Sequence, residues 1–191
     1  LFKHLMENII KNKIIILVAL EDELPKSLLP EFTIEYIGVG KINATYRTLE
    51  VIQKYNPKII INFGTAGTLN KNITGLNEIM VFKQRDMNAS RLGFKLGETP
   101  FDNISTIKLS ENGLSCGTGD NFVSEKPKVE TDLVDMEAYA IAKICLIKNI
   151  NFKCFKYVSD NADENAGDNW KENVNKGSLA FVKKLKSIYK I

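Results

Sequence analysis

Histidine is nearly absent from this chain of 191 residues, and the single copy, His4, lies close to the N-terminus. That scarcity excludes His-based catalytic triads and multi-His metal sites. Cysteine is also sparse. Cys116, Cys145 and Cys154 are odd in number, widely spaced and set in apolar segments with no CxxC pair. They read as reduced core thiols in a cytoplasmic protein. No GxxxxGK[ST] phosphate loop occurs, which excludes nucleotide chemistry of that kind. Long apolar runs are missing too. Ile14 to Leu20 follows Lys11 and Lys13 in the manner of a signal peptide, but it is too short to span a bilayer. Glu21-Asp22-Glu23 stands where a small-residue cleavage site would be needed, so no membrane association is expected. Neither sign of charge dominates: 26 Lys and Arg face 23 acids. The bases are dispersed except at Lys183, Lys184 and Lys186, so no nucleic-acid partner is expected.

What is present is ordinary globular composition, 44% hydrophobic and 26% charged, with no repeats and no low-complexity linker. This length suits one domain with a sizeable core. Residues 1–12 are read as a tail, with residues 1–5 ahead of an expected start at Met6, and 13–191 as a single catalytic domain. Ile- and Val-rich runs at 13–20 and 58–63, and a third run at 153–159, alternate little and predict strands buried on both faces. Weaker strand signals lie at 32–38, 77–83 and 112–117. Helical spacing marks 43–55, 136–148 and roughly 168–189, while 84–110 reads as a long loop with fragments of structure. Strands alternating with helices predict an α/β fold: three layers, with a mostly parallel or mixed central sheet flanked by helices.

Ligands of open α/β sheets bind beyond the carboxyl ends of the strands. Three segments stand there: Ala19-Leu20-Glu21-Asp22-Glu23, Gly64-Thr65-Ala66-Gly67, and Asp160. Each has a plain structural alternative. The three acids suit the first turn of a helix. The two glycines suit a turn needing positive φ, and Asp160 suits a helix cap. In Val134-Asp135-Met136-Glu137-Ala138, Asp135 fits an N-cap and Met136 a core position. Glu137 is placed by Ile141 and Ile144 on the apolar face of a helix, where a carboxylate is costly unless it is paired or meets a polar ligand. Gly38-Val39-Gly40-Lys41-Ile42-Asn43 is a weak dinucleotide signal, because Asn43 fills the third glycine position and no acidic strand end follows.

Taken in order with Pro57 to Asn62 and Gly119-Asp120-Asn121-Phe122-Val123, these segments make the chain resemble the purine nucleoside phosphorylase and nucleosidase superfamily. Within it the resemblance is to the methylthioadenosine/S-adenosylhomocysteine nucleosidases. It implies a shortened nucleoside phosphorylase-like fold that cleaves the N-glycosidic bond of a purine nucleoside without a cofactor or metal, as a homodimer. It also implies that Glu23 activates water, that Asp160 protonates purine N7, and that Glu137 holds the ribose hydroxyls over Met136. Phe122 would stack on the base, Val123 would pair with its edge, and Thr65 and Ser159 would add polar contacts around the ribose and water. Ala19, Asp135, Arg85 and Lys156 are further candidates near the water or in the loops.

The resemblance has departures. Lys156 occupies the family's arginine position, and a lysine lacks the planar fork of a guanidinium. Asp135 replaces the first acid of the usual Glu-Met-Glu. The spans Phe101 to Gly119 and Val123 to Val134 are too short for the helices that relatives carry there. Arg85-Asp86, Phe94, Pro100 and Phe101 occupy the region that in relatives helps build the neighbouring subunit's site. Phosphorylases of this superfamily carry a Gly-Asp-Pro-x-Arg-like loop after the first strand, where this chain has an acidic cluster that would repel phosphate. Hydrolysis is therefore the expectation; the alternatives are a phosphorylase and a non-catalytic nucleoside binder.

Overall fold

The computed structural model describes residues 13–189; the expected tail 1–12, with His4 and Met6, lies outside the described residues. The strand β1 (Ile14–Val18) is buried along its whole length, and the reason lies on its two faces. Ile15 and Leu17 join one cluster with Ile60, Phe82, Tyr139 and Ile141. Ile14, Ile16 and Val18 join another with Leu24, Phe63, Phe155, Phe181 and Leu185. With apolar matter on both sides there is no polar face to alternate with.

The remaining strands are β2 (Thr33–Tyr36), β3 (Ile59–Thr68), β4 (Leu76–Gln84), β5 (Thr106–Lys108), β6 (Leu114–Thr118), β7 (Leu133–Asp135) and β8 (Asn151–Asp160). The helices are α1 (Lys41–Tyr55), α2 (Ala138–Ile147), α3 (Ala166–Asn173) and α4 (Gly177–Tyr189). Helix α1 starts two residues before its expected bound and ends where Asn56 turns left-handed, φ 45°, just before Pro57. The mixed sheet is flanked on one face by α1 and α2 and on the other by α4. Stacking of Phe181 on Phe63, centroids 4.3 Å apart, seats α4.

The sheet forks at β3. Strand β8 runs parallel to β3 from Ile59 to Gly67 along one edge. On the other edge, β1 pairs only as far as Asn62, and β7 takes over, antiparallel, at Gly67. Strands β7, β6 and β4 follow in parallel, and β4 returns to pair antiparallel with β8 at Leu76–Glu78. Five strands thus close into a ring. Between Phe63 and Ala66, one edge of β3 has no strand beside it.

Two expectations change. Gly64-Thr65-Ala66-Gly67 is not a turn: β3 continues through it, and neither glycine has positive φ. The span 168–189 is not one helix, because the chain breaks after Asn173 and restarts at Gly177, whose backbone lies so close to Tyr157 that an added Cβ would meet its ring at 2.6 Å. The loop 84–110 does hold fragments of structure, a short 3-10 turn at Ser90–Leu92 and strand β5. Among the described residues no helix is long and apolar enough to cross a membrane.

Candidate active site

The unpaired stretch of β3 is where the chemistry-bearing residues gather. Glu21-Asp22-Glu23 forms turns rather than the first turn of an α-helix. Glu21 and Asp22 point to solvent, whereas Glu23 is 4% exposed and turned against β3. Its Oε1 accepts the Thr65 N–H at 2.7 Å and the Thr65 hydroxyl at 2.8 Å, and its Oε2 accepts the Leu20 N–H at 3.3 Å. A backbone donor that would otherwise lack a ladder partner is thus satisfied by a carboxylate. Gly64 makes room for this: a Cβ there would stand 3.2 Å from Glu23 Oε1 and 3.3 Å from Lys156 Nζ.

Asp160 ends β8 rather than following it, beside Gly67 across the ladder. Its Oδ2 accepts the Ser159 hydroxyl at 2.7 Å and its Oδ1 the Ala162 N–H at 2.9 Å. Gly67 has to be glycine, since a Cβ would come within 2.5 Å of Asp160 Oδ1. This is a close approach, not a conformational demand.

The strand-to-helix junction after β7 supplies the third carboxylate. Glu137 does not sit on a helix face as its spacing suggested; it caps α2 from the position before it, with φ −133°. Its side chain is 7% exposed, and its Oε1 accepts the Gly40 N–H at 2.9 Å. Burial, and then Asp135 beside it, push the carboxyl up to about 8, against the pull of Lys156 and the Gly40 N–H. Asp135 accepts the Ala138 N–H at 2.8 Å, the Thr118 hydroxyl at 2.6 Å and the Lys156 ammonium at 2.8 Å. Burial works to raise its carboxyl, but the ammonium and these donors outweigh it and hold it below the ordinary range. Asp135 also holds Lys156 charged, although burial opposes that. Lys156 makes a single short contact here, which a point charge serves as well as a fork.

The glycine turn Gly38-Val39-Gly40 opens α1 with positive φ at both glycines. The N–H groups of such a helix start commonly bind phosphate. In this chain Glu137 takes the Gly40 N–H and Asp120 the Lys41 N–H, the latter at 2.7 Å. The anion site is filled by the protein's own carboxylates.

These groups line one cleft, about 680 Å³ of empty space when its open mouth is counted. Ala19, Glu23, Thr65, Arg85, Phe122, Val123, Asp135, Met136, Glu137, Ser159 and Asp160 all border it, whereas Lys156 lies behind, against Asp135. Arg85 holds the loop over the cleft: its guanidinium donates to the Gly117, Gly119 and Asn121 carbonyls and to Asn121 Oδ1. Phe122 stands at the mouth, 53% exposed. Opposite it is Trp170 of α3, which sequence reasoning missed; it meets Phe122 edge-on at 6.4 Å and donates to the Thr65 hydroxyl. Its only signal was being the sole tryptophan, ten residues after Asp160.

The Phosphorylase superfamily profile matches residues 30–190. The chain is 32% identical to the 5'-methylthioadenosine/S-adenosylhomocysteine nucleosidase of Buchnera aphidicola subsp. Baizongia pistaciae, over 80% of this chain and 73% of that one. It superposes with a TM-score of 0.83, at 22% identity, on the Helicobacter pylori nucleosidase solved with 5'-methylthioadenosine in its active site, covering 93% of this chain and 98% of that one. The H. pylori futalosine hydrolase mutant gives 0.83 at 21% identity, with the same coverage. The chain belongs to the phosphorylase superfamily, in its methylthioadenosine/S-adenosylhomocysteine nucleosidase family.

Proposed function

We propose that residues 13–191 form one catalytic unit that hydrolyses the N-glycosidic bond of 5'-methylthioadenosine, S-adenosylhomocysteine or a related adenine nucleoside, releasing adenine. The observation that carries this reading is the seating of Glu23 in the open edge of β3, in one cleft with Asp160 and Glu137. Glu23 takes a proton from the attacking water, whose oxygen bonds to the sugar's C1'. As the C1'–N9 bond breaks, its electron pair passes into the purine, and Asp160 delivers a proton to N7. Glu137 holds the ribose hydroxyls over Met136. Phe122 stacks on the base and the Val123 backbone meets its edge, while Thr65 and Ser159 complete the polar surround.

Water is favoured over phosphate because the N–H groups that could cradle an anion at α1 already hold Glu137 and Asp120. The resemblance supports a cytoplasmic homodimer, with Arg85-Asp86 and the loop through Phe94 and Phe101 near the partner. The test is a panel of methylthioadenosine, S-adenosylhomocysteine, adenosine and futalosine, with and without phosphate, followed by chromatography for free base. Adenine or its analogue is released without phosphate, and Glu23→Gln and Asp160→Asn each lower turnover by about 10² to 10⁴. Strict phosphate dependence would make the protein a phosphorylase, and binding without release a nucleoside binder. Light scattering checks the dimer.

A further inference from the structure

Trp170 borders the cleft and is bonded to its machinery. Its indole Nε1 lies 2.8 Å from Thr65 Oγ1, and that oxygen lies 2.8 Å from Glu23 Oε1. The directions of these bonds follow from chemistry alone. An indole N–H can only donate, and an ionised carboxylate can only accept. The Thr65 hydroxyl has one proton, so it accepts from Trp170 and must spend that proton on Glu23. Oε1 then receives two short bonds, from the Thr65 N–H and hydroxyl, while Oε2 receives the longer bond from Leu20. The two oxygens are made unequal. Oε1 is fastened, and Oε2 keeps the capacity to take a proton.

The same helix grips the other end of the cleft. Asn173 Nδ2 donates to the Ser159 carbonyl at 2.9 Å, next to Asp160. Helix α3 therefore touches the supports of both acids, three residues apart on one face. Without the indole, the Thr65 hydroxyl is free to turn away from Glu23, leaving Oε1 with the backbone bond.

We infer that Trp170 is a positioning residue for hydrolysis: acting through Thr65, it fixes the rotation of the Glu23 carboxylate so that Oε2 faces the water. The inference rests on the hydrolytic reading above. Trp170→Phe keeps the ring against Phe122 and removes only the N–H. It lowers kcat about tenfold, the size expected for one hydrogen bond, and leaves KM within about twofold. Thr65→Val lowers kcat at least as far, and in that background Trp170→Phe has no further effect, because both changes cut the same relay.

Trp170 is the only tryptophan in the chain, so its emission reports the indole bond without substrate; Thr65→Val shifts that emission. Unshifted emission, a Trp170→Phe enzyme with wild-type kcat, additive effects in the double variant, or a change confined to KM would each overturn the inference. Absence of base release by the wild type would overturn the hydrolytic reading and this inference together. A silent Trp170→Phe in an active enzyme removes the inference alone.

Discussion

Replacing Glu137 by glutamine should stabilise the fold in a way that grows with pH. The carboxyl is pushed up to about 8 by burial and by Asp135, whereas the same group in the unfolded chain ionises near its ordinary 4.5. Between those values the unfolded chain gives up a proton that the folded chain keeps. Stability therefore falls as pH rises through the window, by up to about 1.4 kcal/mol per pH unit for one proton. Across the window the upper bound is roughly 5 kcal/mol, a large share of the roughly 5 to 15 kcal/mol that holds a domain together. The amide has no such proton and still offers an oxygen to the Gly40 N–H. Asp135 and Lys156 stand beside residue 137 in both proteins, so the comparison is read as the difference between the two. Urea unfolding of the two proteins at half-unit steps from pH 5 to 8.5 gives that difference directly. The variant should gain on the wild type up to about pH 8 and then level off, while losing turnover. A flat difference, or one that shrinks with pH, would refute the reasoning.

Other perturbations test the supports of the site. Lys156→Met leaves Asp135 buried and without its ammonium, which should cost roughly 3 to 5 kcal/mol in urea unfolding at neutral pH. Adding Asp135→Asn should restore most of that loss, since no buried charge is then left unpaired. Gly67→Ala places a methyl 2.5 Å from Asp160 Oδ1 and 3.0 Å from the Ala162 Cβ. It should cost about 1 to 3 kcal/mol through overpacking and lower kcat/KM for adenine release at least tenfold as Asp160 is displaced.

Much of the architecture was legible in local patterns. The unbroken apolar run of β1 announced a strand buried on both faces, and the helical spacing over 43–55 announced α1. The acids that meet in the cleft were legible through the order of motifs, because each follows or ends a strand of the sheet. Glu137 was found for a partly mistaken reason: its burial comes from a strand-to-helix junction, which has no periodicity to read. The two glycines of β3 looked like a turn because their role depends on Glu23, Lys156 and Asp160, residues far away in sequence. Closure of the ring by β4 and β8 depends on three residue pairs of long separation, and no local pattern specifies them. Trp170 was invisible for the same reason. Its bond to Thr65 spans 105 positions, and nothing in its own segment tells which wall of the cleft α3 returns to.

The way Glu23 is anchored bears on how the site tolerates mutation. One of its two short bonds comes from the Thr65 N–H, a group present in every residue but proline. Drift at position 65 can weaken the grip on the carboxylate but can scarcely abolish it. Position 64 is the opposite case, since even one methyl there crowds Glu23 and Lys156 together. Two adjacent residues of one strand thus differ sharply in what they can become, and the cause is the direction in which the backbone, rather than any side chain, presents its hydrogen atoms.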